Sequence, residues 1–382
     1  MKAKTTMNKF LIVSADDIIL YQPTILNLYD LLNESFDVTI ISFQPEYLGK
    51  LKETSRKVVY ISIPKNKKFF FKNIDLFFNA IFKRINKYAF NFNYRFQFLR
   101  KLKCNLLIKE LKKYEKQQIL AVDVMPLYAT QKIFDKCHFL SLEILMHDKY
   151  LKKIDTNRIL SVIIQNTDRY NYLFAGNKLK TFYIQNSPSY ENICINKDKR
   201  NDLVWGGSIV ENFGVINCIE FVKKYPDYKL LLKGAAEPKT LKIIKTHYYD
   251  LLEAGRVIIN SDYLSVKDFI AFLSNFKIGF CFYNWELIKK NFNYQSAPSG
   301  KVFMYLAAGV PVIACNIPGF KFIEEYKAGV LINDYSPKSI YKAVIQIEKS
   351  YSFFQQNCYR AFEKMSFEKE AIKFKNYLLA NF

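Results

Sequence analysis

The sequence predicts an α/β protein made of two parallel-sheet halves. Apolar runs of strand length recur along the chain and alternate with segments whose apolar residues fall at helical spacing. The strand runs are apolar throughout rather than every second residue, the pattern of strands covered on both faces. A length of 382 residues suits about two domains of ordinary size.

In the first half, Lys9–Ser14 reads as a buried strand, followed by a helix over 20–34 with Leu20, Ile25, Leu28, Leu31 and Leu32 on one side. Asp37–Phe43, Lys57–Ile63, Ile119–Val124 and His138–Ile144 read as further strands. The pattern breaks at Gln185–Ser189, which is turn chemistry, and again over the polar residues 196–202. It restarts with Leu203–Trp205, Gly206-Gly207 and a helix to about Lys224. Strands at Lys229–Leu232, Arg256–Ile259, Lys277–Tyr283 and 311–315 then alternate with helices at 239–252, 265–275, 301–308 and 336–349. The domain boundaries expected are 1–187 and 188–365, with a last helix over 366–382 returning to the first domain.

Composition narrows the function classes. Half of the residues are apolar, so the chain is globular. Seven cysteines without a C-x-x-C pair, several in apolar runs, read as buried free thiols in a reducing compartment. With three histidines and no clustered ligands, no metal site is expected. The apolar run Phe10–Val13 is too short for a signal-peptide core, and no stretch reaches the roughly 20 apolar residues of a membrane span. A cytoplasmic location is expected. The formal net charge of +22 favours anionic partners, although an A- and T-rich genome would impose a similar excess of Lys.

The segment from Asn293 to Cys315 carries the clearest chemistry. Pro298-Ser299-Gly300-Lys301 precedes strong helix formers, and Gly309 with Pro311 ends them. Such a helix start offers free N–H groups, a side-chain-free Gly300 and the cation Lys301 to a phosphate. The run P-S-G-K-V-F-M-Y-L-A-A-G-V-P-V-I-A, with W-G-G-S-I at 205–209, L-L-L-K-G at 230–234 and Y-L-S at 263–265, resembles the C-terminal half of GT-B glycosyltransferases, especially family 4. The resemblance covers most of 200–350. It implies two Rossmann-like domains facing a cleft, with the second holding a nucleoside-diphosphate sugar, UDP- or GDP-linked, and with no cofactor or metal. The donor-site positions it implies are Gly207, Ser208, Lys233, Gly234, Tyr263, Ser299, Gly300 and Lys301. The chain departs from the family pattern at Met304 and Ser296, where glutamates are usual, and at Ser208 and Phe213, where a basic pair is usual.

The acceptor side of such a fold is formed by strand ends of the first domain. Glu143, after the strand at 138–144, is the first choice for an acceptor-orienting carboxylate or base, and Asp16, after the first strand, is the second. A His147-Asp148 pair is a further possibility. Between Pro64 and Lys116 stand 15 Lys or Arg against Asp75, Glu110 and Glu115, a local surplus of 12, interleaved with thirteen aromatics. That stretch fits either a solvated helical face or docking in the plane of an anionic membrane. No nucleic-acid-binding signature is present. The expectation is a metal-independent, retaining glycosyltransferase acting on a surface-glycan or lipid-linked acceptor, peripheral on the inner face of the plasma membrane. The alternatives are a catalytically silent GT-B-like subunit, or a basic RNA- or lipid-binding protein.

Overall fold

A computed structural model describes residues 7–17, 19, 22–45, 55–85, 97–114, 117–196 and 202–381. The parts of the basic stretch at 86–96 and 115–116 lie outside them. Two compact units result: the first runs to Ile184 and takes back the chain from Glu370, and the second is Gln185–Lys369.

In chain order the first unit carries β1 (Lys9–Val13), α1 (Pro23–Asn33), β2 (Asp37–Phe43), β3 (Val58–Ile61), α2 (Lys65–Ile85), α3 (Gln97–Leu111), β4 (Gln118–Val122), α4 (Val124–Gln131), β5 (Cys137–Leu140), β6 (Ile159–Ile164), α5 (Thr167–Phe174) and β7 (Thr181–Tyr183). Its seven strands are parallel in the order β3-β2-β1-β4-β5-β6-β7. Leu11 of β1 lies beside Thr39 on one side and Ile119 on the other, so β1 is central and fully buried past its first residue. The second unit carries β8 (Leu203–Gly206), α6 (Val215–Lys224), β9 (Leu230–Lys233), α7 (Pro238–His247), α8 (Tyr249–Glu253), β10 (Val257–Asn260), α9 (Val266–Leu273), β11 (Ile278–Cys281), α10 (Trp285–Lys290), α11 (Phe292–Ser296), α12 (Gly300–Ala307), β12 (Val312–Cys315), α13 (Lys321–Glu325), β13 (Gly329–Ile332), α14 (Pro337–Lys349) and α15 (Tyr351–Met365). Its six strands, again parallel, are ordered β10-β9-β8-β11-β12-β13. The last helix, α16 (Phe367–Ala380), leads back into the first unit.

The structure adds three strands to the sequence reading. β7 has three residues, too few to show a period, β13 is a short edge strand that opens on Gly329, and β6 carries Ser161 within its apolar run. The strand expected over His138–Ile144 ends at Leu140, and 141–144 leave the sheet as a loop. The helix expected over 239–252 breaks into α7 and α8 at Tyr248. All seven cysteines are free; six are buried, and Cys194 is half-buried. The basic stretch folds as α2 and α3, which pack on each other. Asp75 of α2 is 3% exposed and accepts the N–H groups of Phe98 and Leu99 at 3.1 and 3.3 Å, capping the start of α3.

His138 marks where α16 closes on the first sheet. Its ring is 2% exposed, with Nδ1 2.8 Å from Ser161 Oγ and the rings of Phe374 and Tyr377 edge-on at 5.6 and 6.2 Å. Nε2 is buried with no hydrogen-bond partner among the described residues. Burial pushes the imidazole down to about 4 from 6.5, so the neutral form is the one the fold accepts. Its contribution is complete above pH 6.5 and is lost as pH falls toward 4, by up to about 3 kcal/mol. Urea unfolding of the wild type and of His138→Gln should therefore converge over that interval, whereas a constant difference between them would show that His138 does not titrate in the fold.

Candidate functional site

In a parallel sheet, ligands meet the carboxyl ends of the strands. In the second unit those ends carry a platform built almost entirely from backbone. The turns after β8 and β9 run side by side: Gly207 N–H donates to Lys233 O at 2.8 Å, and Ile209 N–H to Ala235 O at 2.8 Å. Gly207 and Gly234 take φ of +119° and +146°, values that favour glycine. A Cβ on Gly234 would lie 2.2 Å from Gly207 O, so the close approach of the two turns requires glycine at 234.

Over this platform lies Lys301, from the first turn of α12. A Cβ on Gly207 would stand 3.4 Å from its Cε. Its ammonium lies 4.6 Å above the Trp205 ring and 5.4 Å from that of Phe213. The nitrogen is buried and has no hydrogen-bond partner among the described residues. Two ring faces offer about 1–2 kcal/mol each at best. Removing an ammonium from water costs several kcal/mol. The rings alone leave the charge under-compensated, and its field reaches the buried thiols of Cys218 and Cys281, opposing the rise that burial imposes on both.

Ser299 is the residue before α12, with extended φ/ψ, but its hydroxyl does not cap the helix. It lies instead within hydrogen-bonding reach of Tyr283 and Cys281. The first N–H groups of α12, on Gly300 and Lys301, have no intrahelical acceptor. A Cβ on Gly300 would crowd the Asn186 side chain, whose amide nitrogen it would meet at 3.2 Å.

Lys233 does a different job from Lys301. It is 2% exposed, and its ammonium donates to Asn260 Oδ1 at 2.5 Å and to Asp262 O at 2.7 Å. It thereby fixes the loop that presents Tyr263, a side chain 73% exposed. Ser208 is exposed and acts through its carbonyl, which accepts the Trp205 indole N–H at 3.2 Å. At the positions of the missing glutamates, Ser296 is buried with its hydroxyl donating to Phe292 O at 2.8 Å, and Met304 is half-buried against the core.

Sequence reasoning missed Tyr305, which reads there only as one more apolar-face residue. Its hydroxyl accepts the Gly206 N–H at 2.6 Å and lies 3.3 and 3.2 Å from the carbonyls of Val204 and Phe280. A Cβ at Gly279 would come within 2.6 Å of this ring. A cavity of about 300 Å³ beside Lys327 and Phe353 lies at the amino end of β13, away from these strand ends.

In the first unit Asp16 and Glu143 stand on separate loops. The Asp16 carboxylate accepts the Gln22 amide, and its carbonyl accepts Phe43 N–H at 3.3 Å and the Ser42 hydroxyl. Glu143 is exposed on a loop fixed from three sides. Asp123 Oδ1 accepts the N–H groups of Leu142 and Glu143 at 2.7 and 2.9 Å, Arg169 donates to Leu142 O at 2.8 Å, and Gln165 donates to Ser141 O at 2.6 Å. Asp123 holds φ +65°, and burial pushes its carboxyl up to about 7 despite those two N–H bonds. The carboxylate of Asp148 is held bidentate by Arg100, which also stacks on Tyr150 at 5.0 Å, so its partner is a cation of α3. Among the described residues no group of three or more His, Cys, Asp or Glu could hold a metal.

No family profile and no curated protein sequence matches the chain. Solved structures do. Sucrose-phosphate synthase from Thermosynechococcus elongatus superposes with a TM-score of 0.66 at 12% identity, over 98% of each chain. Anabaena HepE in complex with UDP and glucose gives 0.64 at 12%, over 98% of this chain and 99% of that one. A UDP-forming α,α-trehalose-phosphate synthase from Burkholderia vietnamiensis gives 0.64 at 9%, with the same coverage. The chain has the two-unit GT-B fold of these glycosyltransferases.

Tyr305→Phe should leave the buried Gly206 N–H without its acceptor and cost about 1–3 kcal/mol. Urea denaturation reads this directly; an unchanged midpoint would show that the hydroxyl carries no weight.

Proposed function

We propose that the protein is a glycosyltransferase that moves a sugar from a nucleoside-diphosphate sugar, UDP- or GDP-linked, to a glycan or lipid-linked acceptor. The observation that carries the reading is the buried ammonium of Lys301, set beside the α12 start and over Gly207 on a GT-B scaffold. A diphosphate at this helix start would meet the free N–H groups of Gly300 and Lys301 and the positive end of the helix dipole. The four-carbon stem of Lys301 lets the ammonium swing from the rings to the phosphate, giving the charge the partner it lacks. Charge on the departing diphosphate is then stabilised by this cation and these N–H groups, which is how the reaction proceeds without a metal. Lys233 positions Tyr263, whose exposed ring offers a stacking face to the base. The resemblance to family 4 supports retention of anomeric configuration.

In this reading Glu143 orients or deprotonates the acceptor hydroxyl, held in place by Asp123 and Arg169, and Asp16 flanks the acceptor from the β1 loop. No helix among the described residues is long and apolar enough to cross a membrane, so attachment by α2 and α3 to the inner membrane face is the mode of association that fits their charge. The absence of glutamate at 296 and 304 favours a second reading, a silent GT-B-like subunit, and nucleotide binding separates the two.

Titration with UDP and GDP should raise the melting temperature of the wild type. Lys301→Met should abolish that shift while raising the melting temperature of the free protein, since it removes an under-compensated buried charge. A wild type that neither nucleotide stabilises would overturn the donor site. Glu143→Gln should lower sugar transfer from a radiolabelled donor about 100-fold or more without altering the nucleotide shift; near-wild-type turnover would remove Glu143 from the chemistry.

A further inference from the structure

We propose that Asp123 is a positioning residue operated by its own charge, a catch on the acceptor side. As a carboxylate it holds the loop 141–144 in the pose that presents Glu143 to the acceptor. On protonation it releases that loop, so sugar transfer falls while nucleotide binding is kept; this rests on the role given to Glu143 above.

The backbone at Asp123 is the first sign. Asp123 follows β4 and stands at the N-cap of α4, where an aspartate ordinarily accepts the first helix N–H groups. Its side chain makes no such bond. A φ of 65° with a ψ of 169° puts it in a region nearly reserved for glycine, strained for any residue with a side chain. Among the described residues only three that are not glycine have positive φ, and two of them belong here: Asp123 itself and His147, at +55°, four residues past Glu143. Strain of this kind persists where the surroundings over-determine it.

The loop after β5 does so. Asp123 Oδ1 accepts two successive N–H groups, of Leu142 and Glu143, at 2.7 and 2.9 Å. Arg169 of α5, fully buried, donates to Leu142 O at 2.8 Å. Two charged groups face the Asp123 carboxyl, Glu143 from the loop and Arg169 from α5. Burial pushes that carboxyl up to about 7, the Glu143 charge adds to the rise, and the two N–H groups and Arg169 oppose it. Both of its states are therefore populated near neutral pH. The ionised form makes charge-assisted bonds, about twice as strong as neutral ones. A proton taken from solvent weakens both bonds at once and leaves Glu143 the stronger claim on Arg169, which faces both carboxylates. The strained backbone then relaxes to negative φ, where the side chain reaches the start of α4, and Glu143 loses its fixed pose.

Two readouts on the full chain test this. In 15N-labelled protein the amide signals of Leu142 and Glu143 should move together with one midpoint near pH 7. They should stay in place in Asp123→Asn, which keeps the shape and never ionises. With the radiolabelled donor, wild-type kcat should fall about 10-fold from pH 8 to pH 6, following the ionised fraction, with the UDP melting shift unchanged. Asp123→Asn should be flat over that range, at or below the wild-type value at pH 6. Replacing a residue that merely braced the fold would lower the melting temperature; here the opposite sign is expected. The fold holds the Asp123 proton more tightly than the unfolded chain does, so ionisation costs stability as pH rises from 3.8 to about 7. Asp123→Asn should therefore melt higher than the wild type above pH 7, with the gap closing toward pH 4. Amide signals that do not titrate between pH 6 and 8 overturn the catch, as does an acid limb that survives in Asp123→Asn, or a variant that melts lower at every pH. Glu143→Gln is read beside them. Its near-wild-type turnover removes the role of Glu143 and with it the link to transfer, whereas fixed amides with an inactive Glu143→Gln remove the catch alone.

Discussion

Three main-chain groups on two neighbouring strands converge on one phenol oxygen. The Tyr305 hydroxyl meets β8 at Val204 and Gly206 and β11 at Phe280, and it does so from α12, a helix that sequence places almost a hundred residues after β8. Gly279 is bare because the ring occupies the space where its side chain would be. This attachment sets the height and rotation of α12 against the sheet. Since Ser299, Gly300 and Lys301 open the same helix, it also fixes where the free N–H groups and the cation stand relative to the glycine turns of β8 and β9. Five of the eight residues of α12 are buried, so a shift that parted Lys301 from Gly207 would disturb the apolar core as well.

Where the transferase resemblance places a basic residue on the loop after β8, this chain has Phe213, whose ring faces the ammonium of Lys301. The cation comes from the helix and the loop supplies the ring that holds it. Lys233 illustrates the opposite outcome: a lysine at a plausible phosphate position spends both described donor contacts on Asn260 and Asp262 and becomes a strut for the loop after β10.

Much of the fold was legible because it is local. Continuous apolar runs announced ten of the thirteen strands among the described residues, and the Pro-Ser-Gly-Lys start with its Gly-Val-Pro end announced α12 within a residue. What escaped is set by partners distant in sequence. Ser299 has the backbone of a cap, yet its hydroxyl turns to Cys281, at the end of β11, and to Tyr283 just beyond it. Asp148 sits beside His147 in the chain but belongs to Arg100, 48 residues earlier. Asp123 can be read as a strand-end residue, but its role depends on a left-handed backbone and on two N–H groups of a loop nineteen and twenty residues on. The candidate positions could be read from sequence, whereas the division of labour among them could not.

The chain has only two tryptophans. One of them, Trp205, is fully buried with Lys301's ammonium over its face and its N–H committed to Ser208 O. The other, Trp285, is stacked on Tyr335 at 5.3 Å. A positive charge that close to an indole shifts the energy of its excited state, and the surrounding low-dielectric core leaves that field unscreened. Departure of the ammonium therefore changes the colour and yield of Trp205 emission, so the protein carries its own optical gauge of whether Lys301 is resting on its rings or engaged elsewhere.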